Sequence, residues 1–262
     1  MSVLKMSHLD RVAVKLNRVR RRTWRVASDA GKHVLWHTKR GFGRTERKLI
    51  DGYLQKHATR KLHIGCGEHM LDGWLNADFY PESPNILHLD ITQSFPIPDN
   101  TFDYIFSEHV IEHVPYLAGL NMLTECYRIL KDQGKIRIST PYLEFLIDLY
   151  VNDNKSDIQN RFLERKAGQH RESRMYREGV NFNACFVINE FVRAWGHQFI
   201  YDEPTLMETM REAGFVEITK CALNQSSDPV FRDLENESRL PPGMLQMMTI
   251  TLEAKKQVNA SA

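Results

Sequence analysis

Two glycines and an acid form the first chemical feature of this 262-residue sequence. A short apolar run stops at Gly65, Cys66 and Gly67, and a second apolar run closes at Asp78. A strand that ends at glycines leaves backbone N–H groups free and lets a ligand approach the main chain closely. An acid at the tip of the next strand is a suitable acceptor for a ribose hydroxyl. The pattern predicts a nucleoside site, and an ordinary tight turn is the alternative.

Four acid–base residues form the second feature. His109, Glu112 and His113 directly follow the apolar run at residues 102–106, and His197 precedes a run of aromatic residues. Imidazoles and carboxylates are the usual general bases, so these four are candidate catalytic residues for taking the proton of a hydroxyl acceptor. For Glu112 and His113 the alternative is a role at the start of the next helix. For His197 the alternative is also structural.

Strand-like and helix-like segments alternate around these residues. Leucine and tyrosine recur at helical spacing between residues 116 and 130, and Pro204 and Gly214 are typical of the start and end of another helix. Candidate strands are residues 60–64, 74–78, 86–89, 102–106, 135–140, 215–222 and 247–253, with a further helix at residues 46–57. The alternation predicts an α/β fold with a doubly wound, mostly parallel sheet.

Ligands of such sheets bind beyond the carboxyl ends of the strands. The polar groups that follow the apolar runs should therefore share one crevice. They are Gly65 to Gly67, Asp78, Asp90, and Ser107 to His109. Four strand ends with ligand groups favour a binding crevice over a chance glycine turn.

Four stretches of the sequence, taken in order, resemble the Rossmann-like S-adenosylmethionine-dependent methyltransferases. The similarity is greatest to a branch associated with glycosyltransferases and polysaccharide biosynthesis. The stretches are LHIGCGEHMLDGWLNAD, FPIPDNTFDYIFSEHVIEHV, RILKDQGKIRISTP and GHQFIYDEPTLMETMREAGF, which together extend from Leu62 to Phe215.

The resemblance implies a seven-stranded sheet whose last strand is antiparallel, with S-adenosyl-L-methionine as the cofactor. It also implies which residues contact that cofactor. They are Gly65, Cys66 and Gly67 for the methionine moiety, Asp78 for the ribose, Asp90 and Ile91 for the adenine, and Ser107 and Glu108 for the wall that faces the methyl group.

The sequence departs from the family pattern at four places, one of which is the absence of a third glycine, with Glu68 next in line. His63 replaces the acid that is common two residues before the first glycine, and Gln133 replaces a usual glycine. Only about nine residues separate Gly65 from the strand that ends at Asp78, whereas a parallel crossover needs a dozen or more. The usual first helix should therefore be a turn or missing.

A nicotinamide dehydrogenase is the rival interpretation of the glycine turn. Its fingerprint requires a third glycine and an acid about 20 residues onward. Met70 occupies the third-glycine position, and Asp78 lies 13 residues after Gly65. Both features count against a dinucleotide site.

Composition limits the other functions. The chain is 42% apolar, and no stretch reaches the 18 apolar residues of a membrane span. Its four cysteines show no paired metal spacing and are typical of reduced thiols in a cytosolic protein. No metal-ligand motif occurs, so no metal is predicted, although ligands from separate strand ends remain possible.

Charge is segregated along the chain. Through Lys48 there are 14 Lys and Arg against three acids, a local charge of +11, and the remainder carries −9. Apolar residues at helical spacing between positions 9 and 26 predict a basic amphipathic helix. This extension is expected to contact an anionic membrane surface. Nucleic acid, docking on its own domain and a targeting role are the alternatives.

The predicted organisation is a basic extension at residues 1–45, a methyltransferase domain at 46–257 with a substrate-recognition insertion at 141–200, and a tail at 258–262. The predicted function is O-methylation of a sugar or lipid-linked glycan intermediate. A non-catalytic scaffold and an RNA methyltransferase are the alternatives. The expected location is cytoplasmic, peripheral at the inner membrane face, with a small-molecule or glycan acceptor as partner rather than nucleic acid.

Overall fold

A computed structural model of the chain describes residues 43–173 and 180–257. The described residues from Leu49 onward belong to one compact unit. The basic amphipathic helix predicted within residues 9–26 and the predicted tail at 258–262 lie outside the described residues. Within the described ranges, no helix has both the length and the apolar character needed to cross a bilayer.

Seven strands form one sheet, in the order β3-β2-β1-β4-β5-β7-β6. Strand β7 pairs antiparallel with both β5 and β6, and the other pairings are parallel. The strands are β1 (Lys61–Ile64), β2 (Leu75–Asp78), β3 (Leu87–His88), β4 (Phe102–Glu108), β5 (Leu130–Pro141), β6 (Phe215–Cys221) and β7 (Thr249–Lys256). The predicted fold class, with its antiparallel last strand, is confirmed.

One α-helix precedes β1, and the others lie in the connections after β4, β5 and β6. The helices are α1 (Arg44–Lys56), α2 (Tyr116–Ile129), α3 (Leu143–Val151), α4 (Asp157–Ser173), α5 (Ala184–Arg193), α6 (Glu203–Glu212) and α7 (Met244–Met248). Three 3-10 turns occur at Ile111–His113, Pro229–Phe231 and Glu237–Arg239. Helix α6 begins as the sequence predicts, because Asp202 accepts a hydrogen bond from the Thr205 N–H and Pro204 occupies the first turn.

One face of the sheet packs against helices α2 and α6. Met122, Leu123 and Ile129 of α2 and Leu206 and Met210 of α6 are fully buried in the main core. Burial of a large aliphatic side chain contributes about 1.5–3 kcal/mol, so this apolar layer supports the strands that carry the candidate site residues.

The opposite face lacks the usual first helix. Residues 65–74, between β1 and β2, form turns rather than a helix, as the short spacing predicts. The segment between β6 and β7 covers this face instead, with Phe231 and Leu234 packed on Trp74 and Phe106. Residues 224–243 contain two 3-10 turns within this covering segment.

A buried charge cluster fastens the covering segment to the sheet. The guanidinium of Arg137 on β5 is fully buried and donates to Glu235 at 2.7 and 3.1 Å and to the carbonyls of Ala222 and Gln225. The Ser139 hydroxyl also donates to Glu235, at 2.7 Å. Removal of one partner from such a buried pair typically lowers the free energy of unfolding by about 3–5 kcal/mol. The cluster therefore stabilises the packing of the covering segment on the sheet.

His63 lies buried beneath the same segment. Its Nδ1 donates to Asn76 Oδ1 at 3.1 Å, and its ring lies 5.1 Å from that of Phe106. Burial lowers the pKa of His63 to about 4, so the ring is neutral at physiological pH. This explains why a histidine can replace the acid that the family pattern places here: the side chain faces the covered side of the sheet.

Helices α3, α4 and α5 belong to the predicted insertion at residues 141–200. These helices pack together in a second apolar cluster. Its buried residues include Phe145, Leu149, Phe162 and Phe191. Lys166 pairs with Glu190 at 3.0 Å and lies 4.8 Å from the Trp195 ring centroid. The segment therefore packs in a second small core, to which Met244 of α7 also contributes.

Candidate functional site

The glycine turn and Asp78 are in direct contact. The N–H groups of Gly65 and Cys66 both donate to the Ala77 carbonyl, at 2.8 and 3.0 Å. The N–H of Gly67 donates to Asp78 Oδ2 at 2.9 Å. The parallel pairing of β1 with β2 causes this, because it places the ends of the two strands side by side. The sequence prediction that the turn and the acid lie together agrees with this geometry.

The two glycines of the turn differ in why a glycine suits each position. Gly65 has φ +74°, and a Cβ there would lie 2.0 Å from Val110 Cγ2, so close packing excludes any side chain. Gly67 has φ +49°, and a Cβ there would meet nothing within 4 Å. The first glycine therefore lets the turn pack against the end of β4, and the second borders open space beside Asp78.

Cys66, between the two glycines, is buried. Burial and the nearby charge of Asp78 raise the pKa of its thiol to about 12. A thiol with so high a pKa is not a nucleophile at physiological pH. Cys66 therefore acts here as a small packing residue whose backbone belongs to the turn.

Asp90 and Ile91 follow β3. Asp90 Oδ1 accepts hydrogen bonds from the backbone and hydroxyl of Thr92, at 2.9 and 2.7 Å. Ile91 is buried, and its carbonyl accepts from the Asn121 side chain at 3.4 Å. Asp90 is thus held by a local turn at the end of a strand neighbouring Asp78.

Ser107 and Glu108 end strand β4 and differ in their surroundings. Ser107 Oγ is buried and has no hydrogen-bond partner in the described part of the chain. Glu108 forms an ion pair with Arg239 and accepts from the Asn236 N–H at 3.3 Å. Of the two predicted wall residues, Ser107 keeps an unused hydroxyl, whereas Glu108 is bound by the segment that covers the sheet.

Glu112 is the centre of the acid–base group. Its carboxylate is fully buried, with Oε1 3.4 Å from His109 Nδ1 and 3.9 Å from His113 Nε2. Oε2 accepts a hydrogen bond from the Thr140 hydroxyl at 3.0 Å. Glu112 and His113 do not cap helix α2, because its N-cap residue is Pro115 and no side chain makes a capping hydrogen bond. The helix-start alternative therefore fails for both.

His197 joins this group from the far end of the insertion. The N–H groups of Gln198 and Phe199 donate to the Glu112 carbonyl at 2.7 and 3.2 Å, which ties this segment to the 3-10 turn. The His197 Nδ1–H donates to the Phe191 carbonyl at 2.6 Å, and its ring lies 4.9 Å from that of His113. All four predicted catalytic candidates are thus brought together.

His109 links the acid–base group to the glycine turn. Its backbone has φ +53°, which is uncommon for a residue other than glycine, and its Nε2 lies 3.2 Å from the Thr249 hydroxyl. The next residue, Val110, packs on Gly65. Val110, which contacts the glycine turn, therefore lies between His109 and Glu112 in the sequence.

The environment of the group sets its protonation. Burial alone would raise the pKa of Glu112, but the contact with His109 and the charges of His109 and His113 outweigh it and lower that pKa. Burial lowers the pKa of His197. An ionised carboxylate with imidazole nitrogens close to it is an arrangement that can accept a proton or bind a cation.

Several residues of the site were not predicted. Thr140 and Thr249 orient the acid–base group, Val110 fixes the glycine turn, and Arg239 neutralises Glu108. Thr140 follows the same strand-end rule that found Asp78 and could have been found with it. Nothing in the local sequence marks Thr249 or Arg239, because their contacts depend on long-range pairing of β7 and its preceding segment.

A family model described as a methyltransferase domain matches residues 60–138. These residues are similar to that domain family and make up less than half of the chain. They contain the glycine turn, Asp78 and Glu112, and the transferase class agrees with the resemblance found in the sequence. S-adenosylmethionine is the cofactor that this domain family and the resemblance both indicate.

Among curated proteins, an uncharacterised protein of Methanocaldococcus jannaschii is 50% identical over 52 residues, which are 20% of this chain and 19% of that protein. The match therefore spans about a fifth of the length of that relative. Solved structures with a similar fold include S-adenosylmethionine-dependent methyltransferases of Mesorhizobium loti and Archaeoglobus fulgidus. The first has 14% identity, coverage of 81% of this chain and 98% of that one, and a TM-score of 0.43. The second has 17% identity, coverage of 80% and 94%, and a TM-score of 0.42. These scores do not indicate a shared substrate.

Proposed function

We propose that the protein transfers a methyl group from S-adenosylmethionine to a hydroxyl oxygen of a sugar or lipid-linked glycan intermediate. The observation that carries the proposal is the contact of the glycine turn with Asp78, together with the acid–base residues that lie around the buried carboxylate of Glu112. The sugar class is supported by the sequence resemblance to the branch associated with polysaccharide biosynthesis. An oxygen acceptor is supported by the presence of candidate bases.

The residues of the crevice fit the cofactor. Gly67 borders space that a side chain would fill, and Ser107 offers a buried hydroxyl with no partner among the described residues. In the proposed complex, the turn at Gly65 to Gly67 contacts the methionine moiety and Asp78 accepts hydrogen bonds from the ribose. Asp90 and Ile91 contact the adenine.

The chain's own contribution is alignment and proton removal. S-adenosylmethionine supplies an electrophilic methyl group when it is bound. Methyl transfer by in-line displacement needs the acceptor oxygen to be held in position, which supplies much of the rate. The acceptor hydroxyl must also lose its proton, and His109, Glu112, His113 and His197 are the proposed group that accepts it.

A methyl-transfer screen tests the proposal. Labelled S-adenosylmethionine would be offered with nucleotide sugars, lipid-linked oligosaccharides or total RNA as acceptors. We expect label in a glycan-containing fraction, and a loss of at least 100-fold in turnover for Glu112→Gln with cofactor binding retained. Label only in RNA would support the alternative acceptor. No transfer to any fraction, with cofactor bound, would favour a scaffold.

The basic extension is proposed to contact anionic lipid. Its support is the charge of +11 through Lys48, since each basic residue near such a surface contributes about 1 kcal/mol. Deletion of residues 1–40 should release the protein from liposomes of anionic lipid and leave cofactor binding unchanged. Equal sedimentation with neutral liposomes, or none with either, would remove the membrane from the proposal.

A further inference from the structure

We propose that Glu112, His113 and His197 bind a divalent transition-metal ion, with Zn²⁺ as the preferred occupant. One ligand atom from each of these residues lies within 4.8 Å of the others. Two imidazoles and one carboxylate form a set that suits zinc and related ions, whereas magnesium prefers oxygen ligands. The three residues come from two separate segments, residues 112–113 and residue 197, that backbone hydrogen bonds hold together.

Hydrogen bonds to neighbouring groups hold two of the three ligands. The Nδ1–H of His197 is engaged by the Phe191 carbonyl, which leaves Nε2 as the free nitrogen. Thr140 binds Glu112 Oε2 and leaves Oε1 as the free oxygen. Hydrogen bonds of this kind, to the atom that does not bind the ion, are the usual support of metal-binding histidines and carboxylates.

Glu112 Oε1 is a buried hydrogen-bond acceptor that has no donor among the described residues. The nearest imidazole nitrogen lies at 3.4 Å. A buried carboxylate oxygen without a partner is costly, and a cation at this position would remove the cost. Pairing with a protonated His109 is the competing explanation, and the experiment separates the two.

Binding requires a small contraction of the group. Zinc bonds of about 2.0–2.2 Å place tetrahedral ligands roughly 3.4 Å apart, closer than the 4.8 Å limit found here. The His113 side chain is 38% exposed and can rotate toward Glu112 without disturbing the core. Three protein ligands leave one position open, which an acceptor oxygen would fill, and His109, which is not one of the ligands, would then accept its proton. That last step rests on the proposed function, but ion binding does not.

The test is an isothermal calorimetric titration. Zn²⁺ is added to untagged full-length protein from which a chelator has removed bound metal. We expect one equivalent bound by the wild type, at least tenfold weaker binding by His113→Gln, and unchanged binding by the matched control His57→Gln. Co²⁺ should add visible absorption in the wild type that is lost in His113→Gln. Glu112→Gln should also lose binding, and circular dichroism would report whether it folds.

No binding by the folded wild type would overturn the proposal, as would equal affinity in the wild type and His113→Gln. S-adenosylmethionine binding would be measured on the same ion-free protein. Cofactor binding without zinc binding would reject only the metal site. Zinc binding without cofactor binding would reject the proposed function and leave the metal site standing.

Discussion

The two halves of the crevice are built in different ways. The cofactor half consists of one continuous stretch, from Gly65 to Asp78, whose parts meet because β1 and β2 pair in parallel. The acid–base half is assembled from the end of β4, the end of β5, the start of β7 and residue 197. The first half depends on local backbone shape, and the second depends on the packing of distant segments. Mutations in each should therefore affect different properties.

The largest expected effect is at Gly65. Gly65→Ala places an alanine in a left-handed backbone conformation, with φ +74°. Its Cβ would also lie 2.0 Å from Val110 Cγ2. Backbone strain of about 1–2 kcal/mol and overpacking of about 1–3 kcal/mol together predict a loss of about 2–5 kcal/mol in the free energy of unfolding. Urea denaturation would measure this loss. Cofactor affinity should fall as well.

Two controls separate strain from collision at Gly65. Gly67→Ala has the same kind of backbone but meets nothing within 4 Å, so its stability cost should stay near 1–2 kcal/mol. Val110→Ala combined with Gly65→Ala should recover part of the loss. If the double variant were no more stable than Gly65→Ala, the claim that the turn packs against Val110 would be wrong.

His63 gives the next effect, which depends on pH. Its folded-state pKa is about 4 against an ordinary 6.5, so the unfolded chain binds this proton more readily. Stability should be insensitive to His63 above pH 6.5 and fall as pH drops from 6.5 toward 4, by about 3 kcal/mol in total.

The measurement is the difference in unfolding free energy between pH 7 and pH 4.5 for wild type and His63→Leu. The variant should show a shallower loss, and the control His57→Gln should keep the wild-type slope. Identical slopes in wild type and His63→Leu would mean that the ring is not buried neutral beneath the covering segment.

The smallest effect is at Thr140 in the acid–base half. Thr140→Val removes the hydrogen bond to Glu112 with little change in shape. A hydrogen bond to a buried charge contributes about 1.5–3 kcal/mol, which the free energy of unfolding should lose. Cofactor affinity should remain within about twofold of wild type. A large loss of cofactor affinity would contradict the separation of the two halves.

The sequence predicted the elements and the cofactor half well, for a physical reason. Apolar periodicity is local, and all seven strands occur where it placed them, although β5 begins at Leu130 rather than near 135. The absence of a helix between β1 and β2 followed from chain length alone. Asp78 and the glycine turn are close in sequence, so their contact needed only the parallel pairing of adjacent strands.

The rest of the site depends on contacts that no local pattern encodes. The segment between β6 and β7 is polar and contains prolines, which is typical of an exposed loop, yet it buries Phe231 and delivers Arg239 to Glu108. Glu235 is buried only because Arg137 lies opposite it. His109, Glu112, His113 and His197 were named from residue type, but the supporting threonines and the convergence on one carboxylate required the fold.

The central claim is that the glycine turn and Asp78 hold S-adenosylmethionine, and calorimetry with this cofactor tests it most directly. We predict micromolar binding by the wild type, binding weaker by roughly 10- to 100-fold in Asp78→Ala, and no change in the exposed control Asp72→Ala. No binding by the folded wild type, or equal affinity in wild type and Asp78→Ala, would contradict the claim.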